Sequence, residues 1–255
     1  ILIRYLRSRG AECQYYIPDR MNEGYGLNTG AIRKLAEDGC RLMVTVDSGI
    51  TAVEETLLAQ SLGMGVVITD HHECKEVLPE ALAVVNPRRS DSPYPFRELA
   101  GVGVAYKLGL AVSRKREIPR RVISEVLEFV AIGTIADIMP LLDENRSFVK
   151  YGLKWINRGC RNPGLRRLIE LSGLDCRNLT ATNVSFGIAP RINAAGRVGD
   201  ADLGVKLFLA EKPDEIENYC RTMIERNNLR KQWQEEAYQQ CIVKARQEYR
   251  KGNFL

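Results

Sequence analysis

The chain has 255 residues, 45% of them hydrophobic and 27% charged, which is ordinary for a soluble globular protein and suits one large α/β domain or two smaller ones. No uninterrupted apolar stretch is long enough to span a membrane, and a net charge of +5 permits a nucleic-acid partner without demonstrating one. The cysteine count is odd, at seven, with no CxxC pair, which points away from a disulfide framework or a zinc site and toward a reduced, cytoplasmic protein.

The run Ile1–Arg7 lacks a signal-peptide cleavage site and reads as a helix already under way, so the chain is expected to start inside a longer protein. Strands are predicted at 11–17, 41–47, 65–70 and 82–86, three of them apolar on both faces as buried parallel strands are. Helices are predicted at 28–38, 51–62 and 73–80, the last short enough to be a turn. The second opens on Thr51-Ala52-Val53-Glu54, a capping-box pattern. Strand–helix–strand alternation predicts an α/β fold with a doubly wound, mostly parallel sheet and flanking helices.

From about residue 97 the pattern turns helical, with segments near 98–113, 119–135, 145–157, 163–172 and 201–210. Asn162-Pro163 reads as an N-cap followed by proline at the first helical position. A polar helix is expected over about 214–250 with Asp214 as its cap. Its acidic and basic residues nearly balance, so it reads as a solvated connector. The domain reading is therefore a core over 1–213 and a connector over 214–255.

The chemistry gathers where apolar runs end. Val44–Val46 leads into Asp47-Ser48-Gly49, Val66–Thr69 into Asp70-His71-His72, and Phe129–Ala136 into Asp137. In an open parallel sheet, ligands bind beyond the carboxyl ends of the strands. A carboxylate at the end of a buried strand is costly unless a positive charge compensates it. The only two histidines in the chain follow Asp70 directly. Imidazole nitrogen with several carboxylates suits Mn²⁺, with Mg²⁺ or Zn²⁺ as alternatives. Each signal also has a plain structural reading: Asp47 as a turn residue, Asp70-His71-His72 as a helix cap, Asp137 as a solvent-facing helical carboxylate. The co-occurrence of three such acids favours the metal reading.

VDSGI at 46–50, TDHH at 69–72, GTIAD at 133–137 and PRINAAGR at 190–197 resemble successive motifs of the DHH phosphoesterase family, in the order and spacing of its RecJ-type branch. PDRMNEGYGL at 18–27 and NPRRSDSPYPFRELAGVGVAYKL at 86–108 are similar to the same branch. The resemblance implies a 5′→3′ exonuclease on single-stranded DNA, releasing nucleoside 5′-monophosphates in DNA repair and recombination. It implies two divalent ions, Mn²⁺ or Mg²⁺. It implies that Asp47 bridges them, that His71 and Asp137 are ligands of one of them, that His72 contacts the scissile phosphate, and that Asp70 supports the histidine pair. Arg20 would face a 5′-terminal phosphate. Arg191, Asn193 and Arg197 would hold DNA near the site, with Gly196 letting backbone approach closely in a small turn. Tyr25, Tyr94 and Tyr106 are candidates for base stacking, with core packing the plainer reading of each. Single-strand-binding protein and a RecQ-type helicase are partners implied by the resemblance, as is a bacterial cytoplasm.

Two family features are not in the sequence: an Asp-Tyr-Asp-x-Asp-Gly run, expected upstream of Ile1, and a DHH-associated domain, expected after the last helix. The chain alone is therefore expected to be an inactive fragment. Three alternatives stand beside this reading. One is another DHH phosphodiesterase, acting on short oligonucleotides or cyclic dinucleotides. Another is a non-catalytic DNA-binding or scaffold relative. The third is a dinucleotide-binding protein, for which Gly101-x-Gly103 is a weak glycine fingerprint that follows a loop rather than a strand.

Overall fold

The computed structural model describes residues 1–19, 23, 24, 26–117, 126–197 and 202–250. Three parallel strands, β1 (Leu42–Val46), β2 (Gly65–Thr69) and β3 (Ala83–Val85), form a sheet of order β1-β2-β3. The register pairs Val46 with Thr69 and Thr69 with Val85, so the carboxyl ends of all three strands lie together. Helices α2 (Thr29–Glu37), α3 (Val53–Ser61) and α4 (Gly101–Lys115) flank it, and α1 (Leu2–Arg7) packs on α4. Val66 and Ile68 of β2 are fully buried with Ile32 of α2 and Ala59 of α3. Burial of each such branched side chain is worth about 1.5–3 kcal/mol. Alternation along β2 is weak because both faces are covered, as expected for a parallel sheet.

The helical part comprises α5 (Leu127–Ala136), α6 (Asp143–Asn157), α7 (Pro163–Leu171), a single turn α8 (Ala181–Asn183), a π-helical stretch (Val184–Ile188), α9 (Ala189–Arg197), α10 (Leu203–Leu209) and α11 (Pro213–Arg250). Their shared core holds Ile132, Ile156, Leu165, Leu168, Ile188, Leu207 and Met223. The start of α7 is built as expected: the Asn162 side chain accepts from the Leu165 amide at 2.8 Å, with Pro163 at the first helical position. Beneath it lies the buried Glu128 carboxylate, which accepts from the amides of Arg161 at 2.9 Å and Asn162 at 3.4 Å. No described helix is long and apolar enough to cross a membrane, and all seven cysteines are free.

Several local expectations are corrected. Residues 11–17 form no strand: their exposure is mixed, and they pair with none of the three strands. Residues 73–80 are not helical, and Pro79 removes a donor there. Helix α3 has no capping box; its N-cap is Ala52, and the Val53 amide turns back to the Thr51 carbonyl. Asp214 lies inside the first turn of α11, after Pro213, where an acid still favours the helix dipole. PRINAAGR is not a turn: it lies entirely within α9, where Ala194 and Ala195 are buried. The expected helix over 119–135 is seen from Leu127, and residues 118–125 lie outside the described residues.

Candidate metal centre

Asp47 continues the strand ladder, donating its amide to the Thr69 carbonyl at 2.9 Å, and then turns into left-handed backbone at φ 61°. Aspartate tolerates that region better than most residues. Gly49, at φ 102°, completes the turn, and Thr45 Oγ1 donates to the Ser48 carbonyl at 2.7 Å across it. The turn lifts the Asp47 carboxylate off the strand end. One strand over, the Asp70 amide donates to Val85. Asp137 sits one residue beyond α5, donating its amide to Gly133 at 3.0 Å, and Ile138 turns left-handed after it at φ 56°.

These three chain ends bring acids and imidazole together. His71 Nε2 lies 3.0 Å from Asp47 Oδ1 and 3.4 Å from Asp137 Oδ2. Both His71 ring nitrogens are buried, and among the described residues neither has an aligned hydrogen-bond partner, although Nε2 is that close to two carboxylates. Burial pushes the His71 imidazole pKa down, but Asp47, Asp137 and Asp70 outweigh it and hold it above the ordinary value. Burial raises Asp137, and repulsion from Asp47 adds to that against the pull of His71 and His72. The Asp137 carboxylate also stands at the C-terminal, negative end of α5. A buried imidazole nitrogen, Nε2, set against two carboxylates is what a divalent cation would relieve, and a nitrogen–oxygen donor set without thiolate suits Mn²⁺ or Mg²⁺ with retained waters. The residues fit the metal.

Asp70 is 1% exposed and works from beneath. Its carboxylate accepts from the Ile50 amide at 3.0 Å, the His71 amide at 2.8 Å and the His72 amide at 3.2 Å. Burial alone would raise its pKa; these bonds and the His72 ring together hold it below the ordinary value. Asn86 adds a support, its Nδ2 donating to the His72 carbonyl at 2.9 Å. Arg88, beside it, pairs with Glu73 and with Glu98. A ring nitrogen of His72 lies within 4.8 Å of ligand atoms of Asp47 and His71, so His72 stands at the edge of the same cluster.

The remaining expected site residues are not joined to this cluster by any described contact. Arg191, Asn193 and Gly196 lie on α9, which packs against α5 and α11. Arg191 Nη1 donates to the Gly187 carbonyl of the π stretch, and its buried Nε has no partner among the described residues. A Cβ placed on Gly196 would meet nothing within 4 Å, so no close packing within the chain requires glycine there. Arg197 ends α9, and its side chain lies outside the described part, as do Arg20 and Tyr25. Tyr106 is 7% exposed and packs edge-on to Phe148 in the core, and Tyr94 donates to Glu144; core packing accounts for Tyr106.

The family profile described as "DHH family, N-terminal domain" matches residues 1–134. The single-stranded-DNA-specific exonuclease RecJ of Bacillus subtilis (strain 168) is 44% identical over 230 residues, 90% of this chain and 28% of that protein. RecJ of Escherichia coli (strain K12) is 36% identical over 237 residues, 89% of this chain and 41% of that protein. A crystal structure of exonuclease RecJ bound to manganese superposes with a TM-score of 0.87 at 34% identity, covering 96% of this chain and 61% of that one. RecJ from Thermus thermophilus in complex with Mn²⁺ gives a TM-score of 0.83 at 31% identity, covering 96% of this chain and 35% of that one. The chain thus spans 28% of the Bacillus protein's length and 41% of the Escherichia protein's. With that profile covering more than half of it, and the Asp70-His71-His72 triplet built into a cluster of carboxylates, the chain belongs to the DHH family.

Proposed function

We propose that this chain is the metal-binding core of a 5′→3′ exonuclease that hydrolyses single-stranded DNA and releases nucleoside 5′-monophosphates in DNA repair and recombination. The observation that carries the reading is the convergence of Asp47 and Asp137 on His71 Nε2, in a chain whose relatives bear the name single-stranded-DNA-specific exonuclease. Asp47, His71 and Asp137 would hold Mn²⁺ or Mg²⁺. Divalent ions supply an activated water and neutralise charge on the phosphate when bound. The chain's own part is positional. Asp70 fixes the backbone of the histidine pair and the His72 ring, and Asn86 fixes the His72 carbonyl. His72, half-exposed at the rim, would contact the scissile phosphate. Arg191, Asn193 and Arg197 would hold the strand and Arg20 its 5′-phosphate, with Gly196 leaving room for backbone. On the same resemblance, single-strand-binding protein and a RecQ-type helicase are its expected partners in a bacterial cytoplasm.

The test is nucleotide release by the natural full-length protein, with Mn²⁺, from 5′-phosphorylated single strands, duplexes and cyclic dinucleotides. Metal-dependent release of 5′-mononucleotides from single strands is expected. Activity confined to cyclic dinucleotides, or none with any substrate, would overturn the reading.

A further inference from the structure

The pair Gly101-x-Gly103 opens α4, and the metal cluster described above does not by itself explain why glycine stands at either position. Glycine is less favourable than alanine inside a helix, so a helical glycine needs a reason. Backbone conformation is not the reason at Gly101, which is absent from the positive-φ glycines. The reason is space. A Cβ on Gly101 would lie 2.5 Å from Asp47 Cγ and 2.6 Å from Asp47 Cβ, and closer still to Oδ1. All three of its nearest neighbours belong to this one carboxylate side chain. Asp47 cannot simply swing aside, because its own Cβ is one of the clashing atoms. That Cβ is set by a left-handed backbone and by the amide bond to Thr69.

We propose that Gly101 is a positioning residue of the metal centre: its missing side chain is the space in which the Asp47 carboxylate stands to face His71. This rests on the reading of Asp47 as a metal ligand. A methyl group at 101 drives either the strand-end turn or the start of α4 away, and the carboxylate leaves its 3.0 Å approach to His71 Nε2. Gly103 is the internal control. A Cβ there would meet Leu99 at 3.5 Å and Phe148 at 3.7 Å, which is ordinary contact.

The experiment uses the natural full-length protein carrying Gly101→Ala or Gly103→Ala, with Mn²⁺ titration calorimetry and melting in EDTA. Gly101→Ala is expected to weaken Mn²⁺ binding about 10–100-fold, the usual loss when a residue supporting a ligand is changed. It should also lower the metal-free melting temperature, while Gly103→Ala leaves Mn²⁺ affinity unchanged and holds or raises the melting temperature. A double-mutant cycle with Asp47→Gly, which removes all three clashing atoms at a φ that suits glycine, separates the steric claim from the metal claim. In that background Gly101→Ala should no longer lower the melting temperature. Unchanged Mn²⁺ affinity in Gly101→Ala, or an equal fall in melting temperature with and without the Asp47 side chain, overturns the proposal. If the unaltered protein binds no Mn²⁺, the metal reading fails, and the cycle still decides whether Gly101 makes room for Asp47.

Discussion

Asp70 Oδ1 stands 2.6 Å from His72 Nδ1 while the same carboxylate takes the amides of His71 and His72. One buried acid therefore sets both the backbone and a ring of the pair. Asp70→Asn keeps the shape but removes the charge from these bonds and turns an NH₂ group toward donors. A cost of about 1–3 kcal/mol is expected, read as a lower melting temperature. The pH dependence has a definite sign. The folded-state pKa of Asp70 lies below its ordinary 3.8, so its contribution is present above that value and is lost as the pH falls through the folded one. The asparagine variant should lose less stability than wild type as the pH drops from about 5 to about 3. Equal losses in both proteins would show that the Asp70 charge is not held by the fold.

His71 gives the opposite balance. Its ring is buried with neither nitrogen in an aligned bond among the described residues, and without a cation only the charges of Asp47, Asp137 and Asp70 compensate it. His71→Ala should lower the metal-free melting temperature, because it empties a buried site and leaves Asp47 and Asp137 uncompensated, and it should abolish stabilisation by Mn²⁺. In the unaltered protein that stabilisation should reach about 2.7 kcal/mol at a hundredfold excess of metal over Kd. Thermal shift with and without Mn²⁺ measures both. A variant that Mn²⁺ still stabilises fully would remove His71 from the ligand set.

What the sequence makes legible follows physical range. Strands β1, β2 and β3 are visible because buried parallel strands are continuous apolar runs, and α7 because Asn-Pro is a local start signal. Asp47, Asp70 and Asp137 are visible because each polar residue ends an apolar run. Residues 11–17 mislead because a short apolar run does not by itself supply a partner strand. Asn86 under His72, Gly101 beside Asp47, and Glu128 beneath α7 are contacts between segments that are 14, 54 and about 34 residues apart. No local pattern encodes such pairings.

Glu128 and Asn162 make a testable pair of this long-range kind. Asn162 caps α7 and also donates to the Phe208 carbonyl at 2.9 Å, while Glu128 takes the Asn162 amide. Asn162→Ala should cost about 0.5–2 kcal/mol for the cap alone. Glu128→Gln should cost about 1–3 kcal/mol by weakening bonds to buried amides. Chemical denaturation should show the double variant costing less than the sum, because the two residues share one helix end. Full additivity would mean that Glu128 supports the Arg161 amide independently of the cap.

Arg191 carries the last prediction, and it concerns nucleic acid. Burial holds its guanidinium pKa below the ordinary value, and its buried Nε lacks a partner among the described residues. Its one described bond runs to the Gly187 carbonyl, one turn back in the π-helical stretch, a distortion that recurs at functional sites. A cation partly withdrawn from water with donor capacity to spare is suited to an anion, and in the proposed function that anion is a DNA phosphate. Arg191→Ala in the natural full-length protein should weaken single-strand binding for all sequences alike. The slope of log affinity against log salt should fall by about 0.7, the value for one phosphate contact on a single strand. Melting temperature should change little or rise, because an under-compensated buried charge is removed. Fluorescence anisotropy over a salt series measures the slope, and a melt on the same samples measures stability. An unchanged slope with a large loss of stability would make Arg191 a structural residue of the π stretch and take it out of the DNA-binding set.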